Sequence, residues 1–121
     1  MAKPIISIVT PSYNRSAEID LLIDSICKQN FDLSLVELII SDDGSTDDTE
    51  EVVLGWKAKT EFNLKYIRQK NQGPGKARNS GMEHSEGELI LFIDSDCEAN
   101  KYWIKTIYDC FLNENFDACG G

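Results

Sequence analysis

The chain has 121 residues, four cysteines and a net charge of −9 from 21 acidic and 12 basic side chains. That is one domain with room for a proper core, and its scattered charges exclude the basic face of a nucleic-acid binder. Nothing reads as a signal peptide, and no run of about 18 apolar residues offers a membrane span. An acidic chain that binds an anion must find local positive charge, from a cation, a few basic side chains or oriented amides.

The first apolar run, IISIV from Ile5, predicts a strand. Pro11-Ser12-Tyr13-Asn14-Arg15 follows, a turn-forming cluster with an aromatic ring able to stack on a base. Ile19, Leu22, Ile23 and Ile26 then fall at i, i+3, i+4 and i+7, the stripe of a helix packed on a sheet. The second run, VELII from Val36, ends in Asp42-Asp43-Gly44, an acid pair with a glycine that permits a tight turn. Ser45 and Thr46 are candidate N-caps for a helix whose stripe is Thr49, Val52, Val53 and Trp56, with Asp47 and Asp48 in its first turn.

The third run, LKYI from Leu64, leads into a flexible and then basic segment, Asn71-Gln72-Gly73-Pro74-Gly75-Lys76-Ala77-Arg78-Asn79. Its glycines lack the spacing of a P-loop. A helix from Gly75 to His84 carries a small face, Ala77, Ser80 and Gly81, suited to close backbone approach. The fourth run, LILFI from Leu89, ends abruptly in Asp94-Ser95-Asp96. Five apolar residues of this kind read as a strand buried on both faces, as parallel strands are. Two carboxylates at its end repel unless something positive lies between them, and hard divalent cations prefer carboxylate oxygen. Ile104, Ile107, Tyr108 and Phe111 mark a last helix. Asp117-Ala118-Cys119-Gly120-Gly121 reads as the start of a further strand, so the chain is expected to be the first part of something longer.

Cys27, Cys97, Cys110 and Cys119 match no zinc or Cys-x-x-Cys spacing and are expected to be reduced thiols of a cytosolic protein. Cys97 abuts the acid pair, but a soft thiol is a poor ligand for magnesium or manganese.

Four alternations of strand and helix predict βαβ units, a mostly parallel sheet and helices on both faces. Each strand would then deliver a polar loop to the carboxyl edge, where open α/β sheets bind ligands. Taken singly, every loop has an ordinary reading: a solvated turn, an N-cap, a helix breaker, solvated Lys76 and Arg78, a packed Tyr13. His84 reads as a charge late in a helix rather than a base. Independent turns have no reason to carry acid, acid, base and aromatic on one edge, so their joint occurrence points to a metal-assisted phosphate site.

PSYNR, SDDGSTDDT, NQGPGKARNSG and ILFIDSD, in this order and at these separations, resemble the nucleotide-binding half of the family 2 inverting glycosyltransferases. The resemblance runs from about Ile5 to the C-terminus. It implies a Rossmann-like GT-A fold, with residues 1–121 as the nucleotide-sugar-binding portion. It also implies a nucleotide-diphosphate sugar as donor, a UDP-sugar first among them, and Mg2+ or Mn2+ as cofactor. Asp43 would accept from the base N–H, with Tyr13 beside the ring and Pro11 and Ser12 shaping its wall. Arg78 would lie by the base or diphosphate, Asp94 would contact the ribose, and Asp96 would hold the cation. The acceptor, a sugar, a lipid-linked glycan or a protein, is left open, and the implied location is the cytoplasm, including the membrane's cytoplasmic face.

In the family a catalytic base comes from a later segment, and no catalytic residue is identified in these 121. The expectation is donor binding without efficient transfer. A non-catalytic nucleotide-sugar-binding module stays open as the alternative. A receiver-like domain would want acids after the first strand, where Thr10-Pro11-Ser12 stand, and a lone Asp ending the third. A sugar nucleotidyltransferase would need a glycine-rich basic loop in place of PSYNR.

Overall fold

The computed structural model of the chain describes residues 4–113. The elements follow in the order β1 (Ile6–Ser12), α1 (Ser16–Cys27), a 3-10 turn (Leu33–Leu35), β2 (Val36–Asp42), α2 (Thr49–Lys57), β3 (Asn63–Arg68), α3 (Pro74–Glu83), β4 (Leu89–Phe92) and α4 (Trp103–Asn113). The strands form one sheet in the order β3-β2-β1-β4, and every pairing is parallel. The expected final strand at 117–121 lies outside the described residues.

Side-chain alternation sorts the strands onto two covers. Ile6 and Ile8 of β1, Leu38 and Ile40 of β2, Leu64 of β3, and Leu89 and Leu91 of β4 join Ile19, Leu22, Ile23, Ile26, Val53, Ile104 and Ile107 in one buried cluster. This is the face under α1, α2 and α4. The opposite residues of β1 and β2 meet α3, where a Cβ added at Gly81 would lie 2.3 Å from Val9 Cγ1. The small face expected around Ala77 and Gly81 is therefore a close helix–strand contact. Gly81→Ala should lower stability, since overpacking costs about 1–3 kcal/mol against the ~1 kcal/mol that helix propensity returns. Urea unfolding of Gly81→Ala and of the Val9→Ala/Gly81→Ala pair checks it, the second change restoring most of the loss. A single variant as stable as wild type would count against the packing account.

The chain steps from β1 to β2 to β3, then returns over the other face through α3 to set β4 on the far side of β1. That reversal opens a crevice at the carboxyl ends of β1 and β4. Several boundaries differ from expectation. α3 begins at Pro74. β4 is an edge strand among the described residues and stops at Phe92, which is exposed, so it is not buried on both faces as expected. Pro11 and Ser12 belong to β1, paired with Ser41 and Asp42, because parallel pairing continues past the apolar runs. The residue at the N-cap of α2 is Asp48 rather than Ser45 or Thr46, and the carboxylate of Asp47 just before it accepts from Thr49 N at 3.0 Å.

Cys27 and Cys97 are free thiols as expected, whereas Cys110 is disulfide-bonded, which corrects the all-reduced expectation at that position. Cys119 lies outside the described residues. Among the described residues no helix is long and apolar enough to cross a membrane.

Candidate functional site

A cleft of about 490 Å³ opens at the carboxyl edge of the sheet. Pro11, Ser12, Tyr13, Asp43, Arg78, Asp94 and Asp96, the seven residues singled out in the sequence, all line it. So do Arg15, Asn71, Gly73, Pro74 and Ser95, which were noted only as neighbours within the same four loops. Convergence follows from topology: parallel strands send all their outgoing loops to one edge.

The two acids ending β2 have separate tasks. Asp42 is fully buried, accepts from Ser45 N at 2.8 Å and from the Tyr66 hydroxyl, and holds the turn. Burial and the Asp42 carboxylate push the Tyr66 phenol well above its ordinary value, so it stays a donor. Asp43 turns toward the cleft. Its Oδ1 accepts from Gln69 Nε2 at 2.7 Å and Gln72 N at 2.8 Å, and its Oδ2 from Gly73 N at 3.0 Å. Burial would raise this carboxyl, but those donors outweigh it and hold the group below the usual range, ionised at neutral pH. A carboxylate has room for about four donors, so Oδ2 keeps capacity for one more.

Gly44 makes this arrangement possible. Its φ is +87°, and a Cβ there would sit 3.1 Å from Asn71 N and 3.2 Å from Gln69 O. Without a side chain the turn after β2 presses against the 69–73 loop, whose amides then reach Asp43. Ser80 Oγ donates to Gln69 Oε1 at 2.9 Å and so orients the amide that faces Asp43.

Asn14 is the residue that motif reading missed. Its φ of +51° is left-handed, a conformation asparagine tolerates better than most. Its N–H donates to Ser45 Oγ at 2.8 Å, and its Oδ1 accepts from Thr46 N at 2.7 Å and Asp47 N at 3.3 Å. The loops after β1 and β2 are thereby joined across more than thirty residues of sequence. Only the run Tyr13-Asn14-Arg15 beside a Ser-Thr-Asp turn hinted at it.

Tyr13 is 45% exposed at the cleft wall, a ring free to receive a planar ligand. Ser12 is buried, and its carbonyl accepts from Asp43 N at 2.8 Å, which ties two residues of the cleft wall together. On the β4 side, one oxygen each of Asp94 and Asp96 and the Cys97 sulfur lie within 4.8 Å of one another, all three residues exposed. Arg78 Nη2 stands 3.6 Å from Asp94 Oδ1, the only cation paired with this acidic group among the described residues. Desolvation and then the Asp96 charge push the Cys97 thiol up, and a soft thiol is a poor ligand for magnesium or manganese. Two clustered hard oxygens open to the cleft are of the kind that would suit a hard divalent cation.

The glycosyl transferase family 2 model matches residues 7–121. Poly(ribitol-phosphate) β-N-acetylglucosaminyltransferase TarS of Staphylococcus aureus is 36% identical over 99 residues, which is 82% of this chain and 17% of that protein. The crystal structure of S. aureus TarS 1-349 in complex with UDP-GlcNAc superposes with a TM-score of 0.85 at 34% identity, over 92% of this chain and 32% of that one. Glucosyl-3-phosphoglycerate synthase of Mycobacterium tuberculosis, solved with Mn2+, UDP and glucosyl-3-phosphoglycerate, gives 0.67 at 28% identity, over 91% of this chain and 40% of that one. The chain spans from 17% to 39% of the length of the first curated relatives it matches. Its parallel sheet with helices on both faces is the Rossmann-like GT-A arrangement of these structures. In sequence and in fold, the chain belongs to glycosyl transferase family 2.

Proposed function

We propose that the chain is the donor-binding part of an inverting glycosyltransferase that takes a UDP-sugar. The observation that carries this reading is the cleft itself, in which four loops bring together a buried acceptor carboxylate, an open aromatic face, an arginine and an acid pair. Asp43 Oδ2 accepts from the imide N–H of uracil, and Tyr13 covers the ring above the wall of Pro11 and Ser12. Arg78 faces the diphosphate, and Asp94 takes the ribose hydroxyls. Asp96, with Asp94 beside it, would hold Mg2+ or Mn2+, which when bound supplies Lewis-acid stabilisation of the departing diphosphate. The similar UDP-bearing structures support the choice of base, as does the Mn2+-bearing synthase the choice of cation.

These roles leave none of the described cleft acids to serve as general base toward an acceptor hydroxyl. Base and orientation together are worth well over about 10²-fold in rate. Efficient transfer is therefore assigned to a longer protein in which other residues supply that base.

Asp43→Ala should weaken UDP binding by about 1 to 3 kcal/mol, the size of a lost hydrogen bond to a charged group. It should also erase the preference for UDP over CDP, because cytosine has no N3–H to offer a carboxylate. The gain from added manganese should persist, since Asp43 stands apart from the β4 acids. Calorimetry with both nucleotides, with and without manganese, measures all three. An undiminished UDP preference in the variant would reduce Asp43 to a turn residue.

A further inference from the structure

We propose that Asn14 is a positioning residue for base discrimination: its clamp between the loops after β1 and β2 sets Tyr13 and Asp43 at the spacing that reads the base. This rests on the UDP-sugar reading above and adds a residue to it that touches no ligand. The ring-facing Tyr13 precedes Asn14 directly, and Asp43 lies two residues before Ser45, the acceptor of the Asn14 N–H. Both parts of the clamp are local to these two loops. The side chain takes Thr46 N, Asp47 N and Thr46 Oγ1, the last at 3.4 Å, while Asp47 Oδ2 returns a contact to Ser16 N at 3.2 Å. None of it reaches Arg78, Asp94 or Asp96.

Asparagine is needed here for two separate reasons. The backbone is left-handed at φ +51°, and the short side chain must also accept from two successive amides. Glycine meets the first requirement and fails the second, aspartate meets both, and alanine meets neither. Backbone held in a sparsely populated region by its surroundings is common where a site must be pre-organised.

The test is calorimetric titration of UDP and CDP, with and without Mn2+, into the wild-type chain, Asn14→Gly and Asn14→Asp. Asn14→Gly should lose about tenfold of the UDP-over-CDP ratio, the worth of one or two hydrogen bonds. Its fold gain from Mn2+ should match wild type, and Asn14→Asp should recover most of the ratio. General loosening of the domain would lower base preference and metal gain together, and that result overturns the proposal. So does an Asn14→Gly variant that keeps the full ratio while wild type binds UDP well, in which case the UDP-sugar reading stands. A wild-type chain that binds neither nucleotide overturns both.

Discussion

Asp96→Ala is expected to abolish the gain in UDP affinity that Mn2+ gives the wild-type chain. Asp96 and Asp94 form the hard-oxygen pair of the cleft, and they repel each other at the end of β4 with only Arg78 beside them. Asp96 would hold the cation, which when bound would offset that repulsion and the charge of the nucleotide. Each charge-assisted contact so formed is worth about 1.5–3 kcal/mol, so losing the principal ligand should cost about tenfold to a hundredfold in UDP affinity. In the absence of Mn2+ the variant should bind UDP as well as wild type or slightly better, because one like charge has gone. Calorimetry on both proteins with and without Mn2+ decides it. Equal Mn2+ gains would mean that the cation, if bound, is held by other groups.

Lys65→Met is expected to be strongly destabilising although it lies away from the cleft. Glu37 is fully buried at the amino end of β2, where its Oε2 accepts from Ser7 Oγ at 2.5 Å and Glu86 N at 2.6 Å. Lys65 Nζ lies 2.7 Å from Oε1 and is its only cationic partner among the described residues. Removing one partner of a buried pair costs about 3–5 kcal/mol, and the 27% exposure of the lysine side chain points to the lower part of that range. Burial alone would raise the Glu37 carboxyl. Lys65, Ser7 and the Glu86 amide outweigh it and hold the group below its ordinary value.

The pH dependence has a definite sign. A depressed carboxyl contributes stability that is full above its unfolded value and is lost as pH falls through the folded one. In Lys65→Met the depression is weakened, so the variant's deficit should be largest at neutral pH and shrink in acid. Because the folded value of Glu37 lies below its ordinary range, urea unfolding from about pH 7 to pH 3 tests this, with Glu37→Gln/Lys65→Met expected to recover much of the loss. A constant deficit across that range would mean that the lysine acts through packing of its stem.

Much of this molecule is local and was legible along the chain. The i, i+3, i+4, i+7 stripes in α1 and α2 and the apolar runs of the strands depend only on neighbours in sequence, so element order and the four polar loops could be read directly. Once alternation implied a parallel sheet, the meeting of Tyr13, Asp43, Arg78 and Asp96 at one edge followed. Tertiary structure decided whatever depends on register between distant segments. Strand pairing of Ser12 with Asp42 carried β1 through two residues that look like loop, and turned Asp42 into the core and Asp43 toward the cleft. Pairing of Ser7 with Glu37 buried an acid that sequence position alone would leave in water. Asn14 met its three partners only because the loops after β1 and β2 leave adjacent strands at the same height. Hydrogen bonds between groups thirty residues apart leave no periodic trace in a sequence, because the sheet, rather than the local chain, brings their partners together.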